Sequence, residues 1–372
     1  MDYQFNGELP DSALVDKNIL LQLFKNTINS YKYLFFMGLI KLLKDENFNK
    51  LTFPLKEIAY QMLALAYYPY KVFKLSFGLQ DQICKELDNF ELGEKENESL
   101  AFNSGNLIKQ FKSANIEIDL LLRFVPYRLI RPFFLKELKG VRDQYVNRLI
   151  SEFAKSQFTK RHPLYYIDQV NNIIVMQPSW VSYFNDNHEL VLAFVKWEYL
   201  RYIQKNNPSV PNVQFKLFPE DKRQPLKSET NFWLKVLEKE EINCIYSGNK
   251  VTPENFSLDH FIPWSFVVHN QLWNLIPTLK EVNSAKSNSL PSINRYFDNY
   301  ALLQHRGLTF YKREVSANNW NKTIEPYLLD LRISKSKLLD LSTFKEKLKA
   351  TVIPLIAIAE NQGFERNWVY RY

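Results

Sequence analysis

Glycine is scarce in this chain, with nine residues in 372. No Gly-x-Gly-x-x-Gly and no Gly-Lys-Ser/Thr run occurs, so the loops that cradle ATP or dinucleotide phosphates are excluded and long helices are favoured. Cysteine is scarcer still. Cys84 and Cys244 stand 160 positions apart without a pattern, and they read as free thiols of a reducing compartment, not as a disulfide. Apolar runs such as Tyr33–Leu43 and Tyr60–Tyr70 fall short of the roughly 18 to 20 residues that a membrane span needs. The opening MDYQFNGELPDS is acidic and polar, unlike a signal peptide, so a soluble cytoplasmic protein with no membrane partner is expected.

Hydrophobic residues make up 46% and aromatic residues 15%, which rules out wholesale disorder, and the length suffices for two or three domains. Apolar residues recur at three-and-four spacing over Ala13–Lys44 and Leu55–Leu87, which reads as helix. Glu-rich Asn89–Gly105 reads as an exposed loop. A β-hairpin is expected over Tyr165–Gln177 with Asn171-Asn172 at its turn, followed by helices over Trp180–Gln204 and Glu229–Glu240. A further helix is expected over Ser334–Val352, ended by Pro354. Asn206–Ser228, rich in Pro, Asn and charge, marks the boundary of a helical domain over 1–228. The expected class is α+β and predominantly helical.

The chemistry concentrates between Leu258 and Ser292, LDHFIPWSFVVHNQLWNLIPTLKEVNSAKSNSLPS. Here an Asp-His pair is followed by Asn274 fifteen positions after Asp259, and by Asn283 nine further on. A phosphodiester repels hydroxide, so its hydrolysis needs a base to make the nucleophile and a cation to neutralise developing charge. His260 suits the base, since an imidazole titrates near neutrality. Asp259 and Asn283 supply hard oxygen ligands of the kind Mg²⁺ or Mn²⁺ accepts, with other positions left to water and phosphate.

These residues resemble the HNH nuclease family, whose ββα-metal fold wraps two strands and a helix around one divalent cation. The spacing is similar to the HNH domain of RNA-guided CRISPR effector nucleases, down to the closing Asn-Ser-Leu-Pro-Ser. The resemblance covers about Ile242 to Ser292 and implies a nuclease module over 229–295 and a helical extension over 296–372. Strands are expected over Ile242–Tyr246 and Phe256–Phe261 with a turn at Ser247-Gly248-Asn249, then a helix over Pro277–Lys286 that carries Asn283 across. By resemblance, Asn274 ties the loop and orients the base; the alternative is that it caps the helix near Pro277. Relatives often hold a zinc knuckle with two cysteine pairs. Here Ser247 and Val282 stand where thiols would be, so no structural zinc is expected, and Trp264, Phe266, Leu272, Trp273, Leu275 and Ile276 must supply the core.

The module from Glu241 to Arg295 carries four charges of each sign, whereas Arg123 to His162 holds ten Lys or Arg against three acids. DNA affinity is therefore expected from neighbouring segments, with Arg128, Arg131 and Arg142 as candidate phosphate contacts. That stretch reads equally as a solvated helix face or a partner-protein surface, with Phe124, Tyr127, Ile130 and Phe134 as core. Lys286, one turn after Asn283, is either a further DNA contact or an ordinary exposed lysine. The function implied is a metal-dependent endonuclease acting on double-stranded DNA. Bacterial restriction or antiviral effectors share such an architecture. The alternative is a nucleic-acid-binding or scaffold protein whose HNH module has little activity.

Overall fold

The computed structural model describes residues 9–25, 27–90, 104–114, 116–219 and 224–371. Its chain divides into two compact units, residues 1–208 with 216–219, and residues 209–215 with 220–372. Helix accounts for 59% of the structure and strands form only sheets of two or three, so the fold is α+β and predominantly helical.

In the first unit the segment Ala13–Lys44 is two helices, α1 (Lys17–Leu23) and α2 (Tyr31–Asp45). Their break is held by Asp81, which accepts from the buried Ser30 N–H at 2.8 Å. Helix α2 buries ten of its fifteen residues. It lies against α3 (Leu55–Tyr67) at Gly38, where an added Cβ would sit 2.9 Å from Gln61 Cβ. Leu55–Leu87 does not stay helical, since Pro69 lies in a wider π turn over Tyr68–Val72 and a short helix resumes only at Ile83.

The expected hairpin is present as β2 (Tyr165–Asp168) and β3 (Ile173–Met176), with Asn172 at a φ of 53° in its turn. A third strand, β1 (Thr52–Pro54), pairs with β3 and had no signal of its own, being three residues long. The unit's helices continue with α4 (Asp143–Ser156) and α5 (Pro178–Asn206). The expected loop over Asn89–Gly105 lies largely outside the described residues.

The second unit begins with α6 (Lys227–Leu237) and carries two separate strand pairs. β4 (Ile242–Asn243) pairs with β5 (Lys250–Val251), while β6 (Phe256–His260) pairs with β7 (Leu275–Leu279), setting Asp259 opposite Ile276 and His260 opposite Leu275. The expected hairpin of Ile242–Tyr246 with Phe256–Phe261 is thus corrected. The turn at Gly248 returns the chain only as far as Val251, and the partner of β6 comes from beyond the Asp-His pair. The helix expected from Pro277 is corrected as well. LIPTL is a wholly buried strand, and the helix α7 spans only Lys280–Lys286. Pro277 has no N–H to donate, which an outer position in a two-stranded pair tolerates.

Helices α8 (Ile293–Glu314), α9 (Ala317–Asp330) and α10 (Leu341–Asn361) follow. Helix α10 starts at Asp340, whose carboxylate caps the Thr343 N–H at 2.9 Å, and runs through Pro354. The expected stop fails because Val352, Ile356 and Ala359 on either side of the proline are buried, and their packing outweighs one lost hydrogen bond. A single cluster of buried side chains reaches from Phe232 to Phe364 and takes in Phe266, Leu272, Trp273 and Ile276; Leu275 is also buried, whereas Trp264 is only half-buried.

Backbone carbonyls around the turn Leu272–Asn274 are closed by this helical extension. Gln304 on α8 donates to Leu272 O at 3.1 Å and Leu275 O at 2.8 Å, and its own carbonyl accepts from Tyr327 at 2.7 Å. Gln304→Ala leaves the buried Tyr327 hydroxyl without its acceptor, while Leu272 O keeps the Leu275 N–H and Leu275 O keeps the Trp233 indole N–H, and it is expected to lower the stability of the second unit by about 1–3 kcal/mol in urea unfolding. Gln304→Glu, which keeps one acceptor but loses both donors, is expected to be no better tolerated.

Candidate active site

β6 reads FSLDH, and the two ends of its Asp-His pair meet different surroundings. Asp259 is 2% exposed and its carboxylate lies between two donors, Tyr246 OH at 2.7 Å on Oδ2 and Lys286 Nζ at 2.9 Å on Oδ1. Burial pushes the Asp259 carboxyl above its ordinary range, while Lys286 and Tyr246 pull it back down. Tyr246 is itself held in place by rings from the helical extension, Tyr296 at 5.0 Å and Trp368 at 5.3 Å. Its phenol is pushed well above the usual value, first by burial and then by the Asp259 charge.

Helix α7 brings both of its site residues onto β6. Asn283 Nδ2 donates to Ser257 Oγ at 2.9 Å and to Leu258 O at 3.1 Å, which leaves its Oδ1 without a hydrogen bond among the described residues. Lys286 is fully buried and, besides pairing with Asp259, donates to the His260 carbonyl at 2.7 Å. The spacing of three was expected to put Asn283 and Lys286 on one helix face, and that face is turned onto β6, so Lys286 is buried and is neither an exposed lysine nor placed to meet a phosphate.

His260 is half-buried, and its Nε2 lies 3.1 Å from Asn270 Oδ1. Asn274 is 0% exposed and touches the backbone instead. Its Oδ1 accepts from Ile262 N and its Nδ2 donates to Ile262 O, both at 2.8 Å, while its main-chain carbonyl accepts from Phe261 N. Asn274 therefore ties the chain leaving β6, and it caps no helix. Cys244 Sγ lies 3.0 Å from Thr278 Oγ1, and Val282 is wholly buried in the apolar core. Asn270, Tyr246 and Ser257 were not singled out from sequence. Asn270 is one asparagine in an Asn-rich chain, and nothing about its position announces a histidine contact.

The candidate DNA contacts Arg128, Arg131 and Arg142 belong to the first unit. Arg128 forms a two-pronged pair with Asp143 at 2.7 and 3.0 Å and donates to Asn147 at 2.6 Å, so it joins the Val125–Leu129 turn to α4. Arg131 and Arg142 are exposed. Of the interleaved aromatics, Ile130 and Phe134 with them are core, Tyr127 is half-buried, and Phe124 is 46% exposed with the Arg123 guanidinium 5.0 Å from its ring centre.

A short antiparallel strand pair bearing Asp-His is followed by a helix bearing Asn, the order of elements that the resemblance to a ββα-metal module implies. Residues 244–292 match the family model described as HNH endonuclease, 49 of the 372 residues. No curated protein and no solved structure matches the chain. The match supports a nuclease-type function, and nucleases of this family use divalent metal ions. Among the described residues no three His, Cys, Asp or Glu side chains gather as ligands, so an ion here would rest on one carboxylate and one amide oxygen. Asp259 and Asn283 fit it in donor chemistry, and an ion would take the place that the Lys286 ammonium holds on Asp259 Oδ1. No helix among the described residues is long and apolar enough to cross a membrane.

The Asp259–Lys286 pair is dry, so each charge depends on the other. Lys286→Met is expected to cost about 3–5 kcal/mol in denaturant unfolding because it strands a buried carboxylate. Adding Asp259→Asn is expected to return most of that loss; a double variant no more stable than Lys286→Met would show that the ammonium's packing, not its charge, matters.

His269 lies in the loop after β6 with its ring tilted against Trp273, centres 5.4 Å apart, and burial lowers its pKa to about 4 against the opposing pull of Asp330. With the folded value below the unfolded 6.5, the unfolded chain binds more protons between them, so stability rises with pH across that window and is lost as pH falls from about 6.5 toward 4. His269→Gln is expected to flatten the change, measured as urea midpoint against pH.

Proposed function

We propose that the chain is an endonuclease that hydrolyses phosphodiester bonds of double-stranded DNA with Mg²⁺ or Mn²⁺. The observation that carries this reading is the convergence on β6 of Asp259, His260 and, across from α7, an amide whose oxygen is left open at Asn283. Asp259 and Asn283 would hold the ion, which when bound neutralises charge on the scissile phosphate. His260 takes a proton from water, the resulting hydroxide attacks phosphorus, and the bond to the 3′ oxygen breaks, with solvent protonating the leaving oxygen. Asn274 holds the chain just past the base at Ile262, and Lys286 holds the His260 backbone from the other side.

DNA affinity is assigned to the exposed Arg131 and Arg142 of the first unit, with Arg128 shaping the surface from which they project. The first unit, as a recognition or partner-binding domain over about 1–228, would choose the target, in keeping with a restriction or antiviral role in the cytoplasm. A second reading, an HNH module that binds nucleic acid and cuts little, draws on one observation: the Lys286 ammonium already sits on Asp259 where a cation would be needed.

Conversion of supercoiled plasmid to nicked or linear form with Mg²⁺ or Mn²⁺ separates the two. Cleavage is expected, and His260→Ala is expected to reduce it by about 10²–10⁴-fold. Asn283→Ala and Asp259→Asn are expected to abolish the metal response. Cleavage that survives His260→Ala ends this mechanism, and no cleavage of any substrate favours the binding reading. In DNA-binding titrations, Arg131→Ala with Arg142→Ala is expected to lower the slope of log affinity against log salt by about 2, whereas an unchanged slope would remove both arginines from the DNA surface.

A further inference from the structure

A general base works only if its lone pair is on the nitrogen that faces water, and a neutral imidazole has two ways to carry its proton. At His260 the choice is made by Asn270. Which end of the Asn270 amide faces the ring follows from its other contact, Nδ2 donating to Gln224 O at 3.4 Å. A carbonyl only accepts, so the NH₂ group must point there and Oδ1 must point at His260 Nε2, 3.1 Å away. Oδ1 has no proton to offer. Nε2 is therefore the protonated nitrogen, and the basic lone pair is on Nδ1.

The loop that presents Asn270 is pinned. Just before it, Val268 adopts a left-handed φ of 51°, and its N–H bonds back to Trp264 O at 2.7 Å. Gln271 N donates to His269 Nδ1 at 3.3 Å, and Gln271 O accepts from Asn274 N at 2.9 Å. Trp273, whose ring packs at a tilt against His269, is anchored by its indole N–H on Asp330 Oδ2 at 2.7 Å. An acceptor held from so many sides fixes both the direction of the imidazole plane and its tautomer.

We propose that Asn270 is the positioning residue of His260, setting the Nε2–H tautomer and aiming Nδ1, while Asn274 serves the backbone alone. This rests on the reading of His260 as the base. The ring contact assigns to Asn270 the orienting role that family resemblance gives to Asn274.

The test uses the full chain with ¹⁵N-labelled histidine and three substitutions, Asn270→Ala, Asn270→Asp and Asn274→Ala. Long-range ¹H–¹⁵N spectra are expected to show a single Nε2–H tautomer at His260 in the parent, a mixture in Asn270→Ala, and recovery in Asn270→Asp, whose carboxylate accepts the same bond. In plasmid cleavage Asn270→Ala is expected to lower kcat about 10–100-fold with KM unchanged, and Asn270→Asp to regain most of it. Asn274→Ala is expected to lower the melting temperature, with the His260 tautomer kept in the folded fraction. Should Asn270→Ala fail to fold, Asn270→Leu, of similar size and without an acceptor, replaces it. An Nε2–H tautomer that persists in Asn270→Ala, or its loss in Asn274→Ala with Asn270 intact, overturns the proposal. A parent that shows the tautomer pattern yet cuts no DNA instead overturns the reading of His260 as a base.

Discussion

The carboxylate of Asp259 is buried, and a buried charge persists only where its donors are fixed. Both donors come from elsewhere in the chain. Lys286 arrives from α7 and Tyr246 from the segment between β4 and β5. The same ammonium reaches the His260 carbonyl, so a single cation holds the strand end that carries both Asp259 and His260. Loosening any of the three elements would uncover an unpaired charge, and this couples the geometry of the site to the packing of the module.

A module of this size has little interior of its own. Helices on both sides of the matched segment pack over it. Gln304 and Tyr300 satisfy backbone carbonyls at Leu272, Trp273 and Leu275, Trp233 donates to Leu275 O from α6, and Phe261 stacks on Tyr300 with ring centres 3.9 Å apart. The core is continuous from Phe232 to Phe364. A motif of 49 residues has too little interior to bury the four rings of Tyr246, Phe261, Phe266 and Trp273 alone, and the surrounding helices provide it.

Much of the site was legible because its chemistry depends on residue type and spacing. Asp259, His260, Asn274 and Asn283 stand at intervals that place them around one strand pair whatever the rest of the chain does. The strand pairing was less legible. LIPTL is short, apolar and contains a proline, and such a run reads as strand or helix until its neighbours are known. Pro354 misled in the opposite direction, since a local rule about proline was outweighed by burial on both sides of it. Arg128 looked like a surface cation because sequence shows charge and not partners; Asp143 and Asn147 lie 15 and 19 positions away and become neighbours only when α4 packs.

By itself the sequence determined the helical character of the chain, the location of the nuclease motif and the identity of its chemical groups, since these follow from composition, periodicity and local spacing. Tertiary structure alone decided what each group touches. It turned Lys286 inward onto Asp259, gave Asn274 to the backbone at Ile262, and brought Asn270 to the ring of His260. The physical reason is that a hydrogen bond is set by distance and direction in space, and in an asparagine-rich chain the residue type alone does not say which amide will arrive.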